Sequence, residues 1–193
     1  MQQAIDTIFT NARTQNGWTE KPVSDEQIKA IYDIAKMGAT SMNCQPARYI
    51  FLRTAEAKAK LVACASPGNQ AKILAAPVVA IIGMNPEFYK ELVTTFPHNP
   101  NARAIFEGNE GLIQGTAFRN STLQGAHLMT AAKLQGLDCG PMSGFDNAAV
   151  DAAFFADQPG VKSNFISTLG YGDPATIFGR SPRPDFDRFN RLA

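Results

Sequence analysis

The sequence has little of what marks several classes of protein. Its 193 residues include three cysteines, two histidines and one tryptophan, and 18 basic residues face 17 acidic ones, so that the net charge is +1. A chain this close to neutral has no long-range field to hold nucleic acid or to draw it onto an anionic membrane. No stretch approaches the ~20 apolar residues of a membrane span, and Asp6 lies where a signal peptide would be apolar. We therefore expect neither a nucleic-acid nor a membrane partner.

The cysteines exclude two further kinds of site. Cys44, Cys64 and Cys139 are odd in number, lie far apart and form no CxxC pair. This argues against a disulfide framework and against a zinc site. The expectation is reduced thiols, no metal ion and a cytoplasmic location.

Common catalytic motifs are missing as well: there is no GxGxxG after a strand, no Walker loop, no GxSxG and no HExxH. His127 lies among apolar residues, where a hydrogen-bonded core histidine is the ordinary role, and His98 lies in a loop between prolines. No side chain stands out as a catalytic residue. If the chain is an enzyme, a cofactor supplies its chemistry.

What is present is the composition of an ordinary globular protein, with 45% hydrophobic and 18% charged residues, and we expect one domain over residues 1–193. The clearest helix begins after Ser24, which has capping-box spacing to Gln27, and carries apolar residues at helical intervals up to Gly38. These are Ile28, Ile31, Ile34 and Ala35. Other patterns predict helices over 54–65, over 112–137 and from a cap at Asn147 through Phe155, and strands over 48–52, 77–84 and 165–170, the first two as neighbours.

The long helix over 112–137 is apolar on several faces, which favours burial by more than one neighbour. Its apolar residues include Ile113, Phe118, Leu123, Leu128, Met129 and Leu134. Either a second copy of the chain or the core of a single subunit can provide that cover. Because helices and strands interleave irregularly, the sequence predicts an α+β fold rather than a doubly wound sheet.

The loop that follows the first helix is rich in hydrogen-bonding groups. Ala39, Thr40, Ser41 and Asn43 offer hydroxyl, amide and free backbone groups before Pro46 fixes the chain. Such a loop can hydrogen-bond the edge of a planar heterocycle. The same residues are also common in loops without a ligand, and that alternative stays open at this point.

Four blocks, in this order, resemble the nitroreductase family of flavoproteins. They are residues 12–24 (ARTQNGWTEKPVS), 38–46 (GATSMNCQP), 75–82 (AAPVVAII) and 136–146 (GLDCGPMSGFD), followed by a late strand and an arginine-bearing tail. The combinations ARTQNGW, PMSGFD, KSNF and GYGD are most similar to the malonic semialdehyde reductase branch. The resemblance implies a nitroreductase-like α+β fold with a central mixed sheet flanked by helices. It also implies an intertwined homodimer with two FMN molecules at the interface, each touched by both subunits.

The resemblance also implies roles for particular residues. The loop residues Thr40, Ser41 and Asn43, with Ala39 beside them, would line one side of the flavin. The turn Pro141, Met142, Ser143 and Gly144 would lie near N5, with a backbone N–H as its donor. Arg13, Thr14, Arg180 and Arg183 are the candidates for the phosphate, and Asn16 is the candidate for the pyrimidine side of the ring.

Two departures from the family pattern affect the charge near the flavin. Family members commonly carry basic residues where this sequence has Ala12 and Asn16, and an aromatic residue where it has Ala47. Asn16 donates a hydrogen bond but has no formal charge, so it should favour the reduced flavin anion less. Ala47, with Arg48 behind it, leaves space or adds a charge near the substrate.

The implied activity is a ping-pong reaction in which NADH or NADPH reduces FMN and a small organic acceptor then reoxidises it. If the acceptor is malonic semialdehyde, reduced to 3-hydroxypropionate, a cation should meet its carboxylate, and Arg48 or Arg119 is the candidate. For Arg119, an ion pair with Glu110 is an equally open alternative. The competing functions are a broad nitro or quinone reductase and an FMN-binding protein without turnover.

Overall fold

A computed structural model describes residues 1–193, in which eight α-helices and four β-strands interleave along the chain. The helices are α1 (Gln2–Ile5), α2 (Asp25–Ala35), α3 (Ala55–Val62), α4 (Pro67–Ala75), α5 (Leu92–Thr95), α6 (Glu110–Leu134), α7 (Asn147–Phe154) and α8 (Phe186–Phe189). The strands are β1 (Ala47–Leu52), β2 (Val78–Met84), β3 (Asp138–Met142) and β4 (Lys162–Gly170). None of the helices combines the length and the apolar character that crossing a membrane requires.

The sheet has the order β1-β2-β4-β3, with β2 in its interior. Residues of β2 alternate between two cores because successive side chains of a strand point to opposite faces. Val78, Ala80 and Ile82 pack with α2 and α6 on one face, whereas Val79 and Ile81 pack with α3, α4 and α7 on the other. The result is a sheet flanked by helices on both faces, as expected for the α+β class.

The expected mixed sheet needs a correction in one respect. All three pairings among the four strands are antiparallel, and β1 and β2 are neighbours as expected. The one parallel pairing is an isolated bridge between Thr14 and Cys139, at the outer edge of β3. The sequence did not predict β3, because Gly140 and Pro141 are residue types that are rare in strands. An edge strand tolerates a proline that an interior strand would exclude.

Capping residues set the helix starts. The capping box of α2 is confirmed: the Ser24 hydroxyl accepts from the Gln27 N–H at 3.2 Å, and the Gln27 side chain accepts from the Ser24 N–H at 3.1 Å. The expected cap at Asn147 was wrong by one residue, because it is the Asp146 carboxylate that accepts from the Ala149 N–H at 3.0 Å. The carboxylate lies three residues before that donor, the spacing a cap requires.

Two other expectations about helices also change. Ile34, one of the four apolar residues at helical spacing in α2, is 39% exposed, because it lies about 120° around the helix from the buried Ile28. α6 ends at Leu134 rather than 137, because Gly136 takes a φ of 79°. This left-handed conformation stops a helix and turns the chain towards β3.

One face of α6 remains uncovered within a single chain. Leu112, Phe118, Leu123 and Leu134 are 39 to 55% exposed, although Ile113 and Leu128 on other faces are buried. The sequence left open whether one subunit could bury every apolar face of this helix. The structure shows that a single chain does not.

Candidate functional site

The segment after the N-terminal helix lies along the outer edge of β3. The Gln15 N–H donates to the Cys139 carbonyl at 3.0 Å, and Thr14 pairs with Cys139 in parallel. Gly140 makes this approach possible. A Cβ at position 140 would lie 2.7 Å from the Gln15 carbonyl oxygen and 2.4 Å from the Thr168 hydroxyl. The parallel direction puts Arg13 near the start of β3 and Asn16 towards its end.

A cavity of about 820 Å³ opens between this segment, the C-terminal half of α6 and the chain around 178–183. This volume is in the range of cofactor sites. The cavity brings together six residues expected at the flavin site, namely Arg13, Thr14, Asn16, Pro141, Arg180 and Arg183. Five of its lining residues are basic and none is acidic; the basic ones are Arg13, Lys72, Lys133, Arg180 and Arg183. Such a lining suits an anionic ligand.

Three arginines meet at one end of this cavity. Arg180 donates to the carbonyls of Phe9, Thr10 and Ala12 at 3.1, 2.6 and 2.9 Å, so it ties the tail to the N-terminal segment. Partial desolvation, followed by the like charges of Arg13 and Arg183, lowers the pKa of Arg180 from its ordinary value. Arg180 is therefore close enough to Arg13 and to Arg183 to be repelled by both, and an anion bound beside it would relieve that repulsion.

Arg13 and Arg183 each use one guanidinium nitrogen on nearby backbone carbonyls. Arg13 Nη1 donates to Ala12 at 2.9 Å, and Arg183 Nη1 donates to Ser181 at 2.8 Å. An arginine carries five N–H donors, so most donors of both side chains remain available. Such free donors suit the oxygens of a phosphate.

The loop over 39–46 lies outside this cavity, so the structure does not bring Ala39, Thr40, Ser41 or Asn43 to the other expected residues. The loop is fixed on α6 instead. The Ser41 N–H donates to Asn120 Oδ1 at 2.8 Å, and His127 Nε2 lies 3.3 Å from the Ala39 carbonyl. The hydrogen-bonded histidine expected at 127 is therefore present.

The backbone of this loop is strained, so contacts with the surrounding structure must hold its conformation. Met42, Asn43 and Gln45 have φ values of 53°, 48° and 38°, which side-chain-bearing residues rarely adopt. Asn43 stabilises it by donating from Nδ2 to the Thr95 carbonyl at 2.8 Å. Residues held in such conformations concentrate at functional sites.

Of the four residues 141–144 that were expected near N5, only Pro141, which belongs to β3, lines the cavity. Met142, Ser143 and Gly144 lie beyond its lining. The turn is anchored from α4: Asn69 Nδ2 donates to the Gly144 carbonyl at 2.9 Å. A Cβ on residue 144 would lie 2.8 Å from that Asn69 nitrogen, so glycine is needed for this contact.

Two lysines in the cavity were missed by the sequence analysis. Lys72 belongs to α4, a helix that was not expected, and Lys133 is the basic residue in the last turn of α6. Neither lies in a recognisable motif. Position within the fold, and not local sequence, brings them into the lining of the same cavity.

The two candidates for substrate binding differ in their surroundings. Arg48 is half-buried in β1, and its Nη1 donates to the carbonyls of Gln45 and Ala47 at 3.3 and 2.9 Å. Arg119 is exposed and its side chain makes neither a hydrogen bond nor an ion pair. The alternative pairing with Glu110 does not form, because that carboxylate accepts from Gln114 at 2.7 Å.

Comparison with known proteins gives the family. The model of the nitroreductase family matches residues 11–171. The chain belongs to the nitroreductase family. It is 52% identical to a protein of Cupriavidus pinatubonensis over 99% of this chain and 98% of that one. It is also 53% identical to the protein HadB of Ralstonia pickettii over 98% of this chain and 97% of the relative. Both relatives are named for NADH dehydrogenase or NAD(P)H nitroreductase activity.

Solved structures agree on the fold. A Bacillus subtilis protein named as a nitroreductase superposes with a TM-score of 0.89 at 18% identity, covering 100% of both chains. A nitroreductase-named protein of Exiguobacterium sibiricum, solved in complex with FMN, gives 0.87 at 18% identity, covering 98% of this chain and 96% of that one. The fold expected from the resemblance is confirmed.

The Cys139 thiol in the cavity wall is unreactive. Cys139 is 2% exposed, and burial raises the pKa of its thiol to about 12, while burial raises the pKa of Cys44 to about 11. Both thiols stay protonated near neutral pH, and only the thiolate is a nucleophile. Cys139 therefore shapes the wall and takes no part as an attacking group.

At pH 8, iodoacetamide should alkylate the partly exposed Cys64 and leave Cys44 and Cys139 unmodified. Peptide mass spectrometry after timed quenching measures each site. Unfolding in urea should make all three sites react, which controls for peptide detection. Alkylation of Cys139 in the folded protein at the rate of Cys64 would contradict this description of the cavity wall.

Proposed function

We propose that this nitroreductase-family protein binds FMN in the 820 Å³ cavity and transfers hydride from NADH or NADPH to a small organic acceptor. The lining of the cavity carries the proposal, because five cations and no acid surround a space of cofactor size. FMN supplies the hydride chemistry when it is bound. The names of the two relatives favour NAD(P)H as the reductant, and the Exiguobacterium complex favours FMN.

Each end of the cavity fits a different part of this cofactor. Arg13, Thr14, Arg180 and Arg183 offer guanidinium forks and a hydroxyl to a phosphate. Asn16 and Pro141 belong to the other end, where the ring would lie. Lys72 adds a cation to the same lining, which offsets the charge that Asn16 does not provide and would stabilise a reduced, anionic flavin.

We further propose an intertwined homodimer in which the loop over 39–46 reaches the flavin of the partner subunit. The exposed face of α6 supports this, because it runs from Phe118 and Leu123 to Ala126, which is itself exposed and lines the cavity. A second copy that covers this face would also border the cavity. That arrangement gives the preformed loop a flavin to contact, which its own chain does not provide.

For the acceptor, we propose a short aldehyde acid, with malonic semialdehyde reduced to 3-hydroxypropionate as the substrate. Arg119 is the cation we assign to its carboxylate. It lies seven residues before Ala126 on the same face of α6, about 10.5 Å along the helix axis, and its guanidinium is unpaired. Arg48 is the weaker candidate because it is half-buried in β1, whereas Arg119 lies on the exposed face of α6 that leads to the cavity. A cytoplasmic location completes the proposal.

A second candidate is a nitro or quinone reductase of broad specificity. The names of the relatives favour it. The two candidates share the flavin half-reaction and differ only in whether the acceptor needs a carboxylate. A flavin-binding protein without turnover has no observation in its favour beyond the uncharged Asn16.

The purified protein should be yellow, and NADH or NADPH should bleach it under anaerobic conditions. One equivalent of an aldehyde, quinone or nitro acceptor should then restore the flavin absorbance. Stopped-flow absorbance follows both steps. Bound flavin that neither bleaches nor reoxidises would leave only the binding protein, and failure to take up FMN would refute the proposed function.

Replacement of Arg119 by alanine should raise KM for malonic semialdehyde about 10-fold or more, because a hydrogen bond between charged groups is lost. KM for an uncharged quinone should change less than twofold. Arg53→Ala, which removes an exposed arginine outside the cavity, is the matched control and should alter neither value. Equal effects of Arg119→Ala on both substrates would remove the assigned role.

A further inference from the structure

Lys133 stands apart from the other cations of the cavity because its charge is buried without a hydrogen-bond acceptor. Its side chain is 14% exposed, and its Nζ is shielded from solvent with no hydrogen-bond partner. The nearest carboxylate oxygen, Asp138 Oδ1, is 3.7 Å away. That distance permits attraction but is too long for a hydrogen bond.

The surroundings of this amine attract a positive charge but offer it no hydrogen bond. Lys133 lies in the last turn of α6, where the helix dipole favours a cation, and Asp138 adds an opposite charge. An ammonium nevertheless carries three N–H donors, and leaving them unpaired in a protein interior is costly. Lys133 lines the cavity, and a turn of its flexible side chain would bring Nζ to a ligand with acceptor oxygens there, which would supply what the protein does not.

The sheet edge places Lys133 at a definite end of the cavity. Asp138 is the first residue of β3, and its neighbour Cys139 pairs with Thr14. Because that pairing is parallel, Arg13 lies beside Asp138. Arg13 in turn donates to the carbonyls of Thr10 and Ala12, to which Arg180 also donates. Lys133 therefore belongs to the arginine end of the cavity.

The opposite end is marked by different groups. Asn69 of α4 holds the carbonyl of Gly144 in the turn after β3, and Lys72 lies one helical turn further along the same side of α4. The five residues of β3, from Asp138 to Met142, separate these two ends by about 13 Å. The two lysines of the cavity thus belong to opposite ends, and only Lys133 joins the arginines.

We propose that Lys133 donates to the phosphate of FMN and makes the cavity select FMN over riboflavin. Riboflavin has the same ring and ribityl chain but no phosphate, so the contribution of Lys133 is confined to the phosphorylated form. Lys133 is then a specificity residue for the cofactor, in addition to its ion pair with Asp138. This inference rests on the proposed binding of FMN in the cavity.

The test compares the affinities of apoprotein for FMN and for riboflavin by quenching of flavin fluorescence. Lys133→Met should raise Kd for FMN about 10- to 100-fold, the effect of losing a hydrogen bond to a charged group. Its Kd for riboflavin should stay within twofold of the parent value. Lys133→Arg should retain the preference for FMN.

Lys29→Met is the matched control, because it removes the same charge from an exposed helix position outside the cavity. It should leave both dissociation constants unchanged. Asp138→Asn tests the same idea from the other side and does not remove the lysine. Loss of the competing carboxylate should increase the preference for FMN, and the new amide oxygen can still accept from the Gly172 N–H, now 3.2 Å from Asp138 Oδ2.

The outcomes separate this inference from the function on which it rests. Parent apoprotein that binds neither flavin overturns both. Parent protein that prefers FMN, with a Lys133→Met variant of equal preference, overturns only the role of Lys133. Should Lys133→Met not fold, Asp138→Asn decides: a greater preference for FMN supports the inference, and an unchanged or smaller one contradicts it.

Discussion

The candidate site depends on the close pairing of residues 14–15 with the outer edge of β3. This pairing is possible because residue 140 has no side chain: a Cβ there would press against the Gln15 backbone, which cannot move aside as a flexible side chain can. The segment is thereby fixed beside β3, with Arg13 and Asn16 towards opposite ends of the strand. This one contact therefore determines which residues lie at each end of the cavity.

Charge then decides what the cavity can hold. Its basic residues come from the N-terminal segment, α4, α6 and the tail, four parts of the chain that are distant in sequence. Packing cations together without acids is unfavourable unless an anion is bound. Arg180 is repelled by its neighbouring arginines, and the amine of Lys133 has no hydrogen-bond acceptor. A phosphate-bearing cofactor would correct both.

Local signals in the sequence were sufficient for much of the fold. The capping box at Ser24 and the apolar run of β2 act through near neighbours, and both were read correctly. β3 was missed because Pro141 is compatible only with an edge position, which the sequence does not reveal. The lysines were missed for a related reason: their role depends on the cavity that the folded chain forms around them.

The structure of a single chain does not explain the role of the loop over 39–46. Its residues were expected beside the flavin, yet hydrogen bonds to Asn120 of α6 and Thr95 of α5 hold them outside the cavity of their own chain. The homodimer proposed above would account for both the uncovered apolar face of α6 and this preformed loop, because its second subunit would bring its loop to the cavity. The central claim is thus a site shared between two copies.

A differently tagged heterodimer tests this most directly. One chain would carry Ser41→Trp to block the loop, and the other would carry Arg183→Glu to reverse a charge at the phosphate end. If the site is shared, one of the two sites in the heterodimer combines the intact cavity of the first chain with the intact loop of the second. Absorbance should then report one FMN per heterodimer, with neither homodimer binding FMN tightly. A heterodimer without FMN would mean that loop and cavity act within one chain, and the account would be wrong.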